Sequence, residues 1–131
     1  MLEDINQEDI AFEIAFYNGL IQKNPNFVEA LAALGDLYTR AGLHKEGLAV
    51  DEKLIQLKPD DPVVLYNLAC SYSLLKDIDK AFRAFKKAIN CGYFDFEHLE
   101  QDDDLSNLRK DRRFKRYLAR IKEKKPSESL E

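Results

Sequence analysis

The chain carries few residues of the types that perform catalysis or bind transition metals. It has two histidines, His44 and His98, and two cysteines, Cys70 and Cys91. The ligand spacing of a zinc site is missing, and so is a CxxC pair, in which two residues separate the cysteines. Phosphate-binding loops, HExxH, GxSxG and dinucleotide fingerprints are also missing from the sequence. We therefore predict a protein that is not an enzyme and that uses neither a metal nor a cofactor.

An acidic run close to His98 is the strongest competing signal for chemistry. Asp102 to Asp104 follow the Glu97-His98 pair within a few residues. A calcium loop would need a glycine turn and a later glutamate, and this run has neither. A nucleophile built from Cys91 and His98 would need an orienting third group and an oxyanion hole, which the sequence does not suggest. We interpret these residues as structural.

Charge is unevenly distributed along the 131 residues, whose formal net charge is −4. Residues 1–61 hold 12 acids and 5 bases, whereas residues 109–125 hold 2 acids and 10 bases. The basic segment, with Phe114 and Tyr117, could contact nucleic acid. Its apolar residues recur every three to four positions, however, as on the buried face of a helix whose bases face water. We favour a capping helix and expect no nucleic-acid binding.

The sequence favours a cytoplasmic protein that does not cross a membrane. No apolar run approaches 18 residues, so no membrane-spanning helix is expected. The acidic start, MLEDINQEDI, is unlike a secretory signal. The separated cysteines fit free thiols in a reducing compartment.

The elements that must position these residues are organised by a repeat of 34 residues. LIQKNP at 20–25 returns as LIQLKP at 54–59, and LAALGDLY at 31–38 falls on LYNLACSY at 65–72. Large residues three and four apart within these words indicate helices. A second helical pattern follows each first one, at 45–57 and 79–90. Gly42, Asp61-Pro62 and Asp77 supply the helix ends and starts between them.

This pattern resembles the tetratricopeptide repeat (TPR). The first copy matches at Leu31, Leu34, Gly35, Tyr38, Gly47 and Pro59, and the second at Leu65, Leu68, Ala69, Tyr72, Ala81 and Phe85. Two residues depart from the pattern: Asp51 replaces the later aromatic of the first copy, and Tyr93 replaces the proline of the second. The segment LEQDDDLSNLRKDRRF at 99–114 is similar to segments that close bacterial TPR arrays.

The resemblance implies an all-α fold, a right-handed helical-hairpin solenoid. It would hold about two full repeats, an N-terminal helix and C-terminal capping helices. We predict one domain over residues 1–125 and a disordered tail at 126–131. Within the domain we place a lone first helix at 8–23, repeats at 28–59 and 62–91, and capping helices at 95–124.

TPR arrays usually bind a peptide or helix of a partner on their concave face, so the resemblance implies a non-catalytic interaction scaffold. On this chain the concave face would comprise Glu29, Ala32, Asp36, Arg40, Val63, Tyr66, Asn67 and Cys70. We expect Tyr66 to act as an anchor, since a Tyr offers a large rigid contact and a hydroxyl; the alternative is that Tyr66 only packs against neighbouring helices. The acidic-to-apolar character of the face favours a basic or apolar partner.

The N-terminal helix suggests a second hypothesis. Residues 9–21 are apolar nearly all round, so Phe12 and Phe16 should lie away from the face that packs on the next helix. A self-assembling module, such as a homodimer formed through Phe12 and Phe16, is therefore the alternative to a scaffold. Nucleic-acid binding through the basic C-terminal helix is the third hypothesis.

Overall fold

The computed structural model describes the backbone of residues 2–129 and the side chains of residues 7–124. Every regular element in that part of the chain is helical. The α-helices are α1 (Leu2–Lys23), α2 (Val28–Arg40), α3 (His44–Leu57), α4 (Pro62–Leu74), α5 (Ile78–Asn90), α6 (Phe96–Gln101), α7 (Ser106–Arg109) and α8 (Arg112–Ser129). A short 3₁₀ turn, Asp103–Leu105, joins α6 to α7. The all-α class predicted from the sequence is confirmed.

Two helices begin at aspartates that the sequence marks as caps. The Asp61 carboxylate accepts hydrogen bonds from the backbone N–H groups of Val63 (2.9 Å) and Val64 (3.1 Å) at the start of α4. Asp77 accepts one from the N–H three residues further on, at 3.4 Å, at the start of α5. Both carboxylates satisfy N–H groups that lack partners within the helix, and both suit the positive end of the helix dipole.

The turns that follow α2 and α4 share one backbone conformation. Gly42 follows α2 with φ +78°, and Lys76, 34 residues later, follows α4 with φ +64°. Glycine adopts this left-handed conformation without strain, whereas a residue with a Cβ atom does not. The repeat therefore preserves the turn geometry even where it does not preserve the glycine.

The helices stack in chain order. α1 packs on α2, α2 on α3, α3 on α4, and α4 on α5. We call α6, the 3₁₀ turn, α7 and α8 the cap. Its 3₁₀ turn and α7 close over α4, α7 also contacts α5, and α8 packs on α7. Two helical hairpins, α2–α3 and α4–α5, thus stand between an extra N-terminal helix and the cap, as the predicted solenoid requires.

The buried side chains form two clusters of unequal size. The smaller one joins the first hairpin to α1: Leu31, Leu34, Val50 and Leu54 are buried, with Ile14, Tyr17 and Ile21 packed against them. The larger one joins the second hairpin to the cap and includes Leu65, Ala69, Phe82, Phe85, Leu99, Leu105, Leu108 and Phe114. Most of the apolar burial is therefore in the C-terminal half.

The cap carries both apolar and polar contacts. Phe114 is buried with its ring 4.8 Å from that of Phe85. Most bases of α8 are exposed, but Arg109 is half-buried and its guanidinium donates hydrogen bonds to the backbone carbonyls of Leu99 (2.9 Å) and Asp102. This arginine contributes to the cap's structure and is not simply solvated.

Both ends of the chain differ from the predicted boundaries. The backbone of α1 is already helical at Leu2, before the predicted start at residue 8. Acidic residues in a first turn are favoured by the helix dipole, which the 8–23 prediction did not weigh. The tail predicted at 126–131 falls on residues whose side chains lie outside the described part, although the backbone of α8 runs to Ser129.

Candidate partner-binding site

A small polar cavity of about 90 Å³ lies between α2, α4 and the cap. Four aspartates line it: Asp36 from α2, Asp51 from α3, and Asp102 and Asp104 from the cap. The small residues Ala32 and Gly35 leave room above them. We call this the acidic cavity. Its volume holds a few waters or the end of a side chain.

Asp51 makes the floor of the acidic cavity. Its carboxylate is buried and accepts a hydrogen bond of 2.5 Å from the Ser71 hydroxyl on α4. Burial raises the pKa of Asp51 to about 6, with the Ser71 hydrogen bond acting in the opposite direction. Phe85 occupies the equivalent position, 34 residues later, and fills its site with an aromatic ring. A short carboxylate in place of that ring leaves the acidic cavity open.

Asp102 links the cap to α4. Its Oδ2 accepts a hydrogen bond of 2.7 Å from the Tyr66 hydroxyl and lies 3.2 Å from His98 Nε2. Cys70 Sγ lies 3.8 Å from the same oxygen. Burial raises the pKa of neighbouring Asp104, and the Asp102 charge adds to this effect. Asp102 thus makes contacts between the cap and α4, and with Asp104 it forms one wall of the acidic cavity.

Tyr66 and Cys70 are buried, and the expectation that they are open to a ligand is wrong for this structure. Only 3% of Tyr66 is exposed, and its ring stacks on Tyr93 with centroids 4.4 Å apart and planes 1° from parallel. Burial raises the pKa of both Tyr66 and Cys70. The physical reason lies after α5: Tyr93, in the loop before the cap, and Asp102, in the cap, cover the face of α4 that the repeat pattern alone leaves open. Tyr66 is a core residue whose hydroxyl holds the cap.

The other six predicted concave-face residues are not buried. Glu29, Ala32, Asp36 and Arg40 lie along α2, while Val63 and Asn67 lie on α4. Arg40 and Asp36, one helical turn apart, approach to 3.6 Å. Both side chains are solvated, so this pair neutralises little of the acidic cavity.

An apolar pocket of about 390 Å³ adjoins the acidic cavity. Its exposed apolar side chains are Val63 (57% exposed) and Phe94 (76% exposed), with Tyr93 beside them. Asn67 lines both the pocket and the acidic cavity. Sequence reasoning missed Phe94 because it lies in the loop after α5, outside the repeated helices. The aromatic pair Tyr93-Phe94, at the end of the second repeat, is the signal that could have found it.

The structure places Phe12 and Phe16 on α1, far along the chain from this site. They are 74% and 54% exposed, on a helix that packs mainly on α2 among the described elements. As the sequence predicts, these two rings point away from the face of α1 that packs on α2.

Groups of three or more histidine, cysteine and acidic side chains with metal-binding geometry are not found among residues 7–124. In the same part of the chain, helices that are long and apolar enough to cross a membrane are likewise not found.

Comparison with known proteins bears on the fold and the repeat. Residues 63–90, from the second residue of α4 to the end of α5, match the tetratricopeptide repeat family. A curated relative, a chloroplastic protein from Arabidopsis thaliana, is 33% identical over 95 residues. The match covers 70% of this chain but 28% of that protein, so the chain spans little more than a quarter of its relative's length.

Two solved structures of MamA are similar over nearly the whole chain. MamA 41-end from Desulfovibrio magneticus RS-1 superposes with a TM-score of 0.70 at 22% identity, covering 94% of this chain and 70% of that one. The MamA RS-1 ArsTM double mutant gives 0.71 at 21% identity, covering 97% and 72%. At these identities the likeness shows the fold, a TPR-like helical solenoid.

Proposed function

Residues 63–90 match the tetratricopeptide repeat and the fold is a TPR-like solenoid, and from this premise we propose that the chain is a non-catalytic scaffold that binds a peptide or helix of a partner protein. TPR-like folds typically serve protein–protein interaction and are typically not enzymes. The observation that carries the proposal is the acidic cavity and the apolar pocket, which adjoin at Asn67 on the face between α2, α4 and the cap.

The chemistry of the two adjoining sites defines the ligand. Asp36 and the other cavity aspartates favour a Lys or Arg side chain, since an acidic ligand would be repelled by their negative charge. Val63 and Phe94 favour an apolar or aromatic side chain. The amide of Asn67, between them, can donate to and accept from a peptide backbone. We therefore propose a basic segment with an apolar anchor next to its basic residue.

The proposal is tested by selecting peptides from a random display library on the intact chain. We expect enriched peptides to carry Lys or Arg close to an aromatic or aliphatic residue. In isothermal titration of one such peptide, Asp36→Lys should weaken binding about tenfold by reversing the charge at the cavity. Val63→Ser should weaken it by removing apolar contact area.

The matched control is Asp60→Lys, which makes the same charge change in the exposed turn before α4. It should leave the titration unchanged apart from a small long-range effect that salt removes. Enrichment of acidic peptides, or equal affinity of the wild type, Asp36→Lys and Val63→Ser, would contradict this site.

We propose the cytoplasm as the compartment in which the scaffold works. Cys70 and Cys91 are both free thiols, which suits a reducing environment. Fractionation of cells expressing the tagged full-length protein tests this location.

A further inference from the structure

The exposed face of α1 combines apolar and acidic side chains. Phe12 and Phe16 lie one helical turn apart and are largely exposed. Glu8, Asp9 and Glu13, all exposed, surround them. Among the described residues, none of these three acids has a base in ion-pair contact. We call Glu8, Asp9, Phe12, Glu13 and Phe16 the open α1 face.

A groove between α5 and α8 has the opposite charge. Its volume is about 580 Å³, within the range of roughly 300–1,000 Å³ that ligand pockets occupy. Phe82, which is 9% exposed, and half-buried Tyr117 form its aromatic base, and Lys86, Arg113, Arg116 and Arg120 supply positive charge. We call these six residues the basic groove.

The charge of the basic groove is mostly uncompensated. Arg113 is paired with Asp79 at 2.8 Å and with Asp111 at 3.1 Å. Within residues 7–124, Lys86, Arg116 and Arg120 have no acid within ion-pair distance. Lys86 and Arg120 instead lie over the rings of Phe82 (4.5 Å) and Tyr117 (6.0 Å). Three cations are therefore available to an acidic partner.

We propose that the open α1 face of one copy docks in the basic groove of a second copy. The match has two parts: the two exposed Phe rings meet half-buried Tyr117 and the apolar stems of the basic side chains, and three acids without an ion-pair partner among the described residues meet three such bases. α1 lies at one end of the helical stack and α8 at the other. Docking one end on the other joins two copies head to tail.

The two contacting surfaces are different, so this contact is heterologous. A heterologous contact leaves an unused groove on one copy and an unused α1 face on the other, which allows chains longer than two. A homodimer that pairs α1 with α1 would instead be closed and would leave the basic groove free. This assembly also does not depend on peptide binding in the acidic cavity, which is on a separate surface.

Analytical ultracentrifugation of the intact protein tests the assembly. We expect the mean mass to rise with protein concentration and to fall as salt is raised, because salt screens the paired charges. Phe12→Gln with Phe16→Gln, and separately Arg116→Glu with Arg120→Glu, should each raise the dissociation constant at least about tenfold. Lys45→Glu with Lys58→Glu makes the same charge change on exposed sites elsewhere and should have no comparable effect.

The decisive experiment mixes the two double variants, each of which is expected to self-associate poorly when alone. The Phe variant retains an intact groove and the Arg variant retains an intact α1 face, so one productive contact remains. We expect the mixture to form a dimer that does not extend, with twice the mass of the chain. Circular dichroism should show both variants to be as helical as the wild type.

Three results would overturn the proposal. One is a wild-type protein that stays monomeric at every concentration. Another is self-association that the Phe variant abolishes and the Arg variant leaves intact, which is the α1–α1 homodimer. The third is a mixture of the two variants that stays monomeric. Asp36→Lys, measured without peptide, should self-associate like the wild type, so failure of the acidic-cavity proposal is distinguishable from failure of this one.

Discussion

The Ser71 hydroxyl donates a 2.5 Å hydrogen bond to the Asp51 carboxylate across the boundary between the two helical hairpins. This bond joins α3 to α4. Asp51 stands at the repeat position that Phe85 occupies in the second repeat, so a carboxylate replaces an aromatic ring there. The hydrogen bond keeps this carboxylate in place at the floor of the acidic cavity. A buried carboxylate therefore lies where the second repeat has a packed ring. Its effect on the free energy of unfolding can be measured.

Asp51→Asn should stabilise the protein at neutral pH. Burial raises the pKa of Asp51 to about 6, so the folded state holds a proton there that the unfolded chain releases above about pH 4. The contribution of Asp51 to the free energy of unfolding therefore rises as pH falls from about 7 to 4. It is lowest at the pH values where Asp51 is ionised. Asparagine keeps the acceptor for Ser71 without the buried charge.

We expect Asp51→Asn to gain about 2 kcal/mol at pH 7.5 and to lose this advantage near pH 4. Urea unfolding of both proteins across that range gives the difference directly. Asp60→Asn, on the exposed turn, is the control and should show no such pH-dependent gain. A variant that is less stable than the wild type at pH 7.5 would mean that the ionised carboxylate stabilises the fold.

Lys76→Gly should stabilise the turn after α4. Lys76 has φ +64°, a conformation that costs a residue with a Cβ atom about 1–2 kcal/mol. Part of that gain is offset by the greater freedom of glycine in the unfolded chain, which leaves a net gain of about 1 kcal/mol. Thermal unfolding measures it.

Gly42→Ala is the converse experiment. Gly42 has φ +78°, and a Cβ atom added there would meet nothing within 4 Å. Any loss of stability, expected to be about 1 kcal/mol, therefore comes from backbone strain and not from a clash. Equal melting temperatures for the wild type and both variants would show that neither turn requires the left-handed conformation.

Tyr66 should behave as a core residue and not as a ligand anchor. Tyr66→Ala removes a buried ring stacked on Tyr93 and should destabilise the fold by about 3–5 kcal/mol. Tyr66→Phe keeps the ring and removes only the hydrogen bond to Asp102, which should cost about 1–2 kcal/mol. If Tyr66→Ala left the urea midpoint unchanged while weakening a selected peptide, the residue would be an anchor after all.

Ser73 should hold the cap on α4. It is fully buried, and its hydroxyl oxygen accepts a 3.0 Å hydrogen bond from the backbone N–H of Leu108. Ser73→Ala leaves that N–H buried without its acceptor, which should cost about 1–3 kcal/mol. Native-state hydrogen exchange at Leu108 should accelerate, whereas an amide of α1 should not change. Ser106→Ala, a half-buried serine in the cap, is the matched control.

The fold follows from the sequence because its signals are local and occur twice. The apolar spacing at 31–38 and 65–72 predicts α2 and α4, while Asp61 and Asp77 predict where helices begin. The acidic character of the candidate site could also be predicted from the sequence, because the repeat register places Asp36 on the inner face of α2. Each of these inferences needs only a residue's near neighbours in the chain and the helical period.

The rest of the site depends on contacts between distant residues. Tyr66 was expected to be open because the repeat pattern places it on the inner face of α4. It is covered by Tyr93, which stands where the first repeat has Pro59, and by Asp102, which lies beyond the second repeat. Asp51 was recognised as a departure from the pattern, but only its contact with Ser71 shows that the departure opens a cavity. Contacts between residues that are distant in the chain leave no periodic pattern in the sequence, so they could not be predicted from it.

The two unequal core clusters have a consequence for how the molecule opens. In a stacked array each unit is stabilised by itself and by its neighbours, so the part with less buried apolar surface unfolds more often on its own. We expect α1 and the first hairpin to form the less stable unit. Their backbone amides should exchange hydrogen faster than those of α4 and α5. The acidic cavity takes its walls from both units. A ligand there would therefore slow the opening of the weaker half and make the array unfold more nearly as one cooperative unit.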